Sequence, residues 1–150
     1  MSYKRLTEYL DSHHVRYSAV QHSPAFTAQQ IAEIAHIPGK DLAKTVIIKL
    51  DSKLAMVVLP SSYKVDLDLL KSNTGAHKVE IASEREFKDK FPECETGAMP
   101  PFGNLFGMDV YVDNRLAHDK KIAFNAGTHS ELMWLQYEDF INLVHPKILH

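Results

Sequence analysis

The chain has 150 residues, of which 45% are apolar and 24% charged, so its length and composition predict one globular domain, residues 1–150, with a sizeable core. Its formal charge of −2 excludes a polycationic nucleic-acid coat protein, and any nucleic-acid partner would have to be bound through a small local patch. The single cysteine, Cys94, excludes a disulfide framework within the chain and a cysteine-rich zinc site.

The first residues predict no targeting segment. "MSYKRLTEYLDSHH" is polar and amphipathic and lacks the apolar centre of a signal peptide. No apolar run approaches the length of a membrane span. We therefore expect a cytoplasmic protein with no membrane partner.

Hydrophobic spacing and turn residues predict the elements in chain order. The first half contains a short helix carrying Leu6 and Leu10, a strand over 16–22, a helix over 27–37 with Thr27 as its N-cap, and two strands, "AKTVIIKL" and "LAMVVLP", around a turn at Asp51. The second half contains a helix over 66–71 capped by Asp66, a strand over 77–82, a helix over 83–91 with a Ser83/Glu86 capping box, strands over 108–113, 121–126 and 131–136, and a helix over 137–144.

Strands outnumber helices in this pattern, and helices interrupt them at irregular intervals. This predicts an α+β fold with a mixed, largely antiparallel sheet rather than a doubly wound parallel one. Neither G-x-G-x-x-G after a strand nor G-x-x-x-x-G-K-[ST] occurs, so no standard dinucleotide or P-loop site is indicated.

Lys44 begins the first strand of the predicted hairpin. Alternation places it on one face with Val46, Ile48 and Leu50, and this face is more apolar than that of Thr45 and its neighbours, so we expect it to face the core. Lys44 either extends its ammonium group to solvent at the strand end or lies in a pocket, where it can bind a phosphate or carboxylate.

A turn with functional side chains is predicted in "FNAGTHSEL". Gly127 permits a tight turn there, and His129 follows it, flanked by hydroxyl residues. A histidine at a strand end can donate a hydrogen bond, relay a proton or be exposed. The chain has nine histidines and no H-E-x-x-H, so we expect no metal site and consider a polar surface role the default for each histidine.

The stretch "CETGAMPPFGN" cannot continue a helix or a central strand, because its two prolines donate no backbone hydrogen bond. It contains a G-x-x-x-P pattern from Gly97 to Pro101, in which the glycine permits close approach of a ligand and the prolines stiffen the loop. It is either a rigid connector or the wall of a site. Cys94, just before it, is either a nucleophile or a small buried side chain.

Together, "AKTVIIK", "GAMPPFG" and "FNAGTHSEL" occur in the order and spacing of a known family. The chain resembles the YbaK/prolyl-tRNA-synthetase-associated editing domains over nearly its whole length, and among them the free-standing members. The resemblance implies a curved mixed sheet, partly barrel-like, with helices around it. It implies no cofactor.

The resemblance also implies roles for particular residues. Lys44 matches the family's pocket lysine, which serves the phosphate backbone near the tRNA end, and Gly97 and Pro101 match the ends of the loop whose backbone positions the aminoacyl group. His129 lies where some members have a functional histidine. The further substrate-binding candidates are Phe26, Thr27, Thr45, Ala98, Met99, Phe102 and Gly127. For Phe26, Met99 and Phe102, ordinary core packing is an equal alternative to a place in the pocket wall.

The activity implied by the resemblance is trans-editing. Such a protein hydrolyses the ester of a mischarged small amino acid, of the Ala, Ser, Cys or Thr type, on the acceptor end of a tRNA. A synthetase remains open as a second partner, and DNA is not expected. Two alternatives remain: a non-catalytic module that binds a tRNA end, a nucleotide or a synthetase, and a Cys94-dependent hydrolase of another ester.

Overall fold

The computed structural model describes residues 4–21 and 41–150. Four α-helices lie in these ranges: α1 (Lys4–Ser12), α2 (Leu67–Thr74), α3 (Glu84–Phe87) and α4 (Tyr137–Val144). The strands are β1 (Tyr17–Gln21), β2 (Ala43–Leu50), β3 (Lys53–Pro60), β4 (Val79–Ile81), β5 (Asp109–Asp113), β6 (Lys121–Asn125), β7 (Glu131–Gln136) and β8 (Lys147–Leu149). Three short 3₁₀-helices cover Lys88–Lys90, Gly103–Phe106 and Asn114–His118.

The predicted hairpin is confirmed as β2 and β3, which pair antiparallel from Ala43 opposite Pro60 to Leu50 opposite Lys53. Its turn consists of Asp51 and Ser52, both with positive φ, at 48° and 73°. Two-residue hairpin turns favour this conformation because its twist matches that of the strands.

The described strands form two sheets. One has the order β1-β7-β6 and is antiparallel throughout. The other has the order β4-β2-β3-β5-β8, with β5 parallel to both β3 and β8. Among residues 4–21 and 41–150, one isolated parallel bridge, from Leu42 to Ala123, joins the two sheets, and the strands in these ranges do not close into a barrel. The predicted α+β class with mixed pairing is confirmed.

Both faces of the five-stranded sheet are buried. The main core includes Ile47 from β2, Phe124 from β6, and Leu6 and Phe140 from the helices α1 and α4. A smaller core on the opposite face lies beneath α2, with Ile48, Leu59 and Leu70 among its members.

Local signals located most of the helices. Asp66 caps α2, its carboxylate accepting from the Leu69 backbone at 3.0 Å, and the Ser83 backbone donates to Glu86 at 2.9 Å at the start of α3. The α-helix predicted over 83–91 is shorter, since it becomes a 3₁₀-helix from Lys88. The helix predicted over 27–37 lies outside the described residues. None of the described helices has the length and apolarity needed to cross a membrane.

Candidate active site

Lys44 lies near the start of β2 and is half-buried. Its row does pack on a core, but on the smaller one: Val46 and Ile48 belong to that cluster, whereas Ala43 and Ile47 face the main core. This face of β2 therefore packs on a core, as expected, and the opposite face is buried as well, because the sheet is covered on both sides. Lys44 points away from the main core.

Asn125 shares the face of Lys44. The bridge sets Leu42 beside Ala123 in parallel register, and paired residues lie on the same face of a sheet. Two residues after the bridge in each strand, the alternation of side chains places Lys44 and Asn125 on that same face. The side-chain oxygen of Asn125 is buried and has no hydrogen-bond partner within the described part of the chain. A buried acceptor of this kind is costly unless a ligand fills it.

The β6–β7 turn and the glycine-proline loop are joined by three hydrogen bonds. The Glu95 amide donates to the Gly127 carbonyl at 2.8 Å, and the Gly127 amide donates to the Ala98 carbonyl at 2.9 Å. The third joins the His129 ring to the Thr96 carbonyl at 2.8 Å. The structure thus brings together two of the predicted site segments, which are about thirty residues apart in the chain.

His129 is buried rather than exposed, with 8% of its surface accessible, so the default surface role does not apply to it. Because a carbonyl oxygen can only accept, His129 Nε2 must carry the proton and donate to Thr96. This bond orients the ring and ties the exposed part of the loop to the turn.

Gly97 and Gly127 both have a left-handed backbone, with φ of 85° and 97°. Gly97 is exposed, and a Cβ added there would lie 3.5 Å from His129 Cε1, which is ordinary contact. The requirement for glycine at this position is therefore conformational.

The glycine-proline loop divides into two parts. Glu95, Thr96 and Gly97 are exposed, whereas the residues from Ala98 onward, Pro101 included, are buried. Met99 and Phe102 belong to the main core, and Phe102 is fully buried. Its ring contacts those of Phe124 and Phe140, at centroid distances of 5.8 and 5.9 Å. Core packing is therefore the better description of both residues, and their packing anchors the exposed part.

Three further predicted site residues are Thr45, Phe26 and Thr27. Thr45, half-buried, lies on the face of β2 opposite to that of Lys44, since its partner Val58 belongs to the main core. Phe26 and Thr27 lie outside the described residues.

The electrostatic environment distinguishes Lys44 from Cys94. Burial, followed by the positive charge of Lys64, lowers the pKa of Lys44. Burial, followed by the charge of Glu93, raises the pKa of the Cys94 thiol to about 11, so it is protonated at neutral pH. Over residues 4–21 and 41–150, no three His, Cys, Asp or Glu side chains come together to hold a metal ion.

Two open clefts, of about 540 and about 380 Å³, lie around Lys121 and Gln136, at the opposite end of the β6–β7 hairpin. Neither is lined by Lys44, Gly97 or His129. The candidate site is therefore formed by strand ends and a loop, not by either of these clefts.

Comparison with solved structures shows the fold. A hypothetical protein superposes with a TM-score of 0.88 at 17% identity, covering 97% of each chain. A candidate trans-editing enzyme for prolyl tRNA synthetase superposes with a TM-score of 0.83 at 16% identity, covering 97% of this chain and 92% of the other.

Comparison of sequences shows the family. Proline–tRNA ligases from Bacillus mycoides (strain KBAB4) and Bacillus cereus (strain AH187) are 27% identical over 89 residues, which is 59% of this chain and 16% of theirs. The chain thus matches only a small part of the length of these relatives. The model of the aminoacyl-tRNA editing domain matches residues 22–143. With most of its length matched, the chain belongs to the aminoacyl-tRNA editing domain family, as its three sequence motifs predict.

Proposed function

We propose that the protein is a trans-editing deacylase that hydrolyses the ester between a mischarged small amino acid and the 3′-terminal adenosine of a tRNA. The observation that carries this proposal is the site arrangement in a member of this family: Lys44 and Asn125 share a sheet face, and two residues after Asn125 the turn holds the Gly97 loop through hydrogen bonds. The Lys44 ammonium group is suited to hold a phosphate, and the buried side-chain oxygen of Asn125 can accept from an amine or hydroxyl. The exposed residues of the Gly97 loop can present backbone groups to an ester.

In this mechanism the chain positions and the substrate reacts. A water oxygen attacks the ester carbonyl carbon, the bond to the ribose oxygen breaks, and the water proton ends on that oxygen, releasing the amino acid and the tRNA. An activated ester needs orientation and stabilisation of developing charge more than a strong nucleophile. We propose that the ribose hydroxyl helps to activate the water and that the Gly97 backbone, whose amide donates to Met99 Sδ at 3.3 Å, positions the aminoacyl group.

The groups of the chain fit this division of roles. His129 Nε2 already donates to Thr96, so we assign His129 to positioning of the loop rather than to proton transfer. The raised pKa of Cys94 argues against the thiol-dependent alternative. Lys44 has no ion pair among the described residues, so its charge is available to a phosphate.

The family assignment specifies neither the amino acid nor the tRNA of the substrate. We propose Ala, Ser, Cys or Thr as the amino acid, because a small pocket rejects larger side chains by steric clash. As the sequence relatives are proline–tRNA ligases, tRNA for proline is the first acceptor to test, and a synthetase is the proposed partner. The proposed location is the cytoplasm.

The test is deacylation of a panel of tRNAs carrying these amino acids. We expect a rate above the spontaneous one for at least one pair. Lys44→Ala should lower kcat/KM by about 10- to 100-fold, the equivalent of one hydrogen bond to a charged group. Lys53→Ala is the matched control, since Lys53 is exposed and lies at the other end of the same hairpin.

The same panel decides between the proposal and its alternatives. Absence of turnover for every pair with folded protein would contradict the deacylase. Tight binding of charged tRNA without turnover would instead indicate a binding module. Loss of activity in Cys94→Ser would instead support the alternative of a thiol-dependent hydrolase.

A further inference from the structure

A second group of polar and aromatic side chains lies where β3 and β5 end. These strands run parallel, so the segment after Pro60 and the 3₁₀-helix after Asp113 leave the sheet at the same end, where both strands finish. Tyr63 follows the first strand and Arg115 the second. Neither belongs to the candidate active site described above.

Tyr63 is held in place although 43% of it is exposed. The Arg115 guanidinium lies over its ring, with Cζ 3.6 Å from the ring centroid. Arg115 in turn donates two hydrogen bonds to Asp113, from Nε at 3.0 Å and from a terminal nitrogen at 2.6 Å. Asp113 is buried, so the guanidinium plane is fixed, and the Tyr63 ring packs on a cation while the residue stays partly exposed.

Lys64 follows Tyr63 directly in the chain, and Lys44 lies near the start of β2, beside the same segment. The Ser61 amide donates to the Leu42 carbonyl at 2.8 Å, which fastens the segment after β3 across the start of β2. Lys64 lies in that segment, near enough to Lys44 for its charge to lower the pKa of Lys44. Within the described ranges neither lysine has a carboxylate at ion-pair distance. Two neighbouring cations without an acidic partner repel each other, and an anion between them removes that cost.

We propose that Tyr63, Lys64 and Arg115 form a binding surface for single-stranded RNA that continues from the Lys44 site. A backbone phosphate lies between Lys44 and Lys64, and an unpaired base next to the terminal adenosine stacks on the exposed part of the Tyr63 ring. The inference rests on the proposed function, since it extends the same site. An aromatic ring beside cations suits an unpaired strand, because stacking needs an exposed base and the phosphates need positive charge.

The choice of a single strand follows from the geometry of the ring. A duplex offers phosphates, but it keeps the faces of its bases stacked on one another. The small number of cations also fits a few nucleotides rather than a long duplex, in a chain whose net charge is −2.

The experiment measures binding of an uncharged RNA hexanucleotide ending in CCA by fluorescence anisotropy. Tyr63→Leu should weaken binding roughly tenfold, and Tyr63→Phe should retain it, because stacking needs the ring and not the hydroxyl. Lys64→Gln should weaken binding and reduce the slope of log Kd against log salt by about 0.7, the value for one lost phosphate contact on a single strand. Lys53→Gln, which removes an exposed lysine at the other end of the hairpin, should bind as the unmodified protein does.

Three results would overturn the inference: no detectable binding of the hexanucleotide, equal binding by Tyr63→Leu in protein that melts normally, or equal affinity for a blunt RNA duplex. The experiment measures binding and needs no turnover, so a failure of the RNA-binding inference can be told apart from a failure of the proposed deacylase activity. RNA binding that depends on Tyr63 and Lys64, in a protein without deacylation, would support this surface and contradict the deacylase alone.

Discussion

Asn125 shows how a single residue can matter at a site without belonging to any sequence motif. In "FNAGTHSEL" its carboxamide is one polar group among several, and the glycine and histidine were the residues that indicated a site. Only the packed structure shows that its oxygen is buried without a hydrogen-bond partner among the described residues, on the face of Lys44. A polar group left in this state is a common property of binding sites.

Replacement of Asn125 by alanine tests this interpretation. Asn125→Ala should lower kcat/KM for deacylation by roughly tenfold or more, the effect of one lost hydrogen bond to substrate, and should leave the free energy of unfolding within about 1 kcal/mol. Asn104→Ala is the control, since Asn104 is exposed and its side chain donates a hydrogen bond to the Tyr9 hydroxyl at 3.2 Å, away from the site. Unchanged kcat/KM in Asn125→Ala would remove Asn125 from the site.

The lowered pKa of Lys44 has a consequence for stability. Its folded-state pKa lies below the unfolded value, so between these two pH values the unfolded chain binds more protons and stability rises with pH. At neutral pH the charged form carries the full cost of burial. Lys44→Met should therefore be more stable than the unmodified protein at pH 7, and the difference in unfolding free energy should shrink as the pH rises toward the ordinary lysine pKa of 10.5.

Urea unfolding of both proteins across this pH range measures the difference directly. Taking the difference between the two proteins cancels the titration of the other lysines and tyrosines. A gap that is constant with pH would mean that packing, and not charge, causes it.

At the scale of elements, the loop from Glu95 to Gly103 combines two functions. Its exposed residues are held by the turn at Gly127, and its buried residues are part of the main core. The sequence indicated a stiff loop because of its prolines, but the stiffness also comes from Phe102, which is fully buried. A fixed loop can present backbone groups to a ligand with little loss of conformational entropy on binding.

Gly97 and Gly75 form a matched pair for testing this loop. Both have positive φ, 85° and 73°, but Gly75 caps α2 and has open space around it. Alanine should cost about 1–2 kcal/mol of unfolding free energy at either position, because the left-handed backbone is strained with a Cβ. Only Gly97→Ala should also lose deacylation. Equal activity in the two variants would contradict a backbone role for Gly97.

At the scale of the whole molecule, the two cores have different relations to the site. The main core holds the buried half of the loop, whereas the smaller core lies beneath α2. Phe102→Ala and Leu70→Ala each remove a fully buried side chain, one from each core. We expect losses of about 3–5 kcal/mol for Phe102→Ala and about 2–5 kcal/mol for Leu70→Ala, measured by urea unfolding.

Activity then separates the two cores. When it is assayed well below its melting temperature, Phe102→Ala should have a lower deacylation rate per folded molecule, because the loop from Glu95 to Gly103 is no longer anchored. Leu70→Ala should keep it. If both variants retain activity, anchoring by the main core does not matter for the site.

Local sequence signals located seven of the eight described strands, the caps of α2 and α3 and the hairpin turn. The resemblance of three motifs to a known family predicted the family that the domain model confirms. The local signals missed β8, which has three residues and no alternation, and they missed the 3₁₀-helices. They also did not indicate that the strands divide into two sheets, because that depends on pairing between distant segments. That residues 1–150 form one domain stays a prediction.

The resemblance to a known family predicted roles for Lys44, Gly97 and His129. The sequence by itself determined where the chain turns and which segments are extended. These features depend on side-chain period, glycine, proline and caps, all of which act between near neighbours. Only the tertiary structure decided that β2 is buried on both faces, that His129 bonds to Thr96, and that Asn125 shares the face of Lys44. Each of these depends on contacts between residues far apart in the chain, and no local pattern encodes their register.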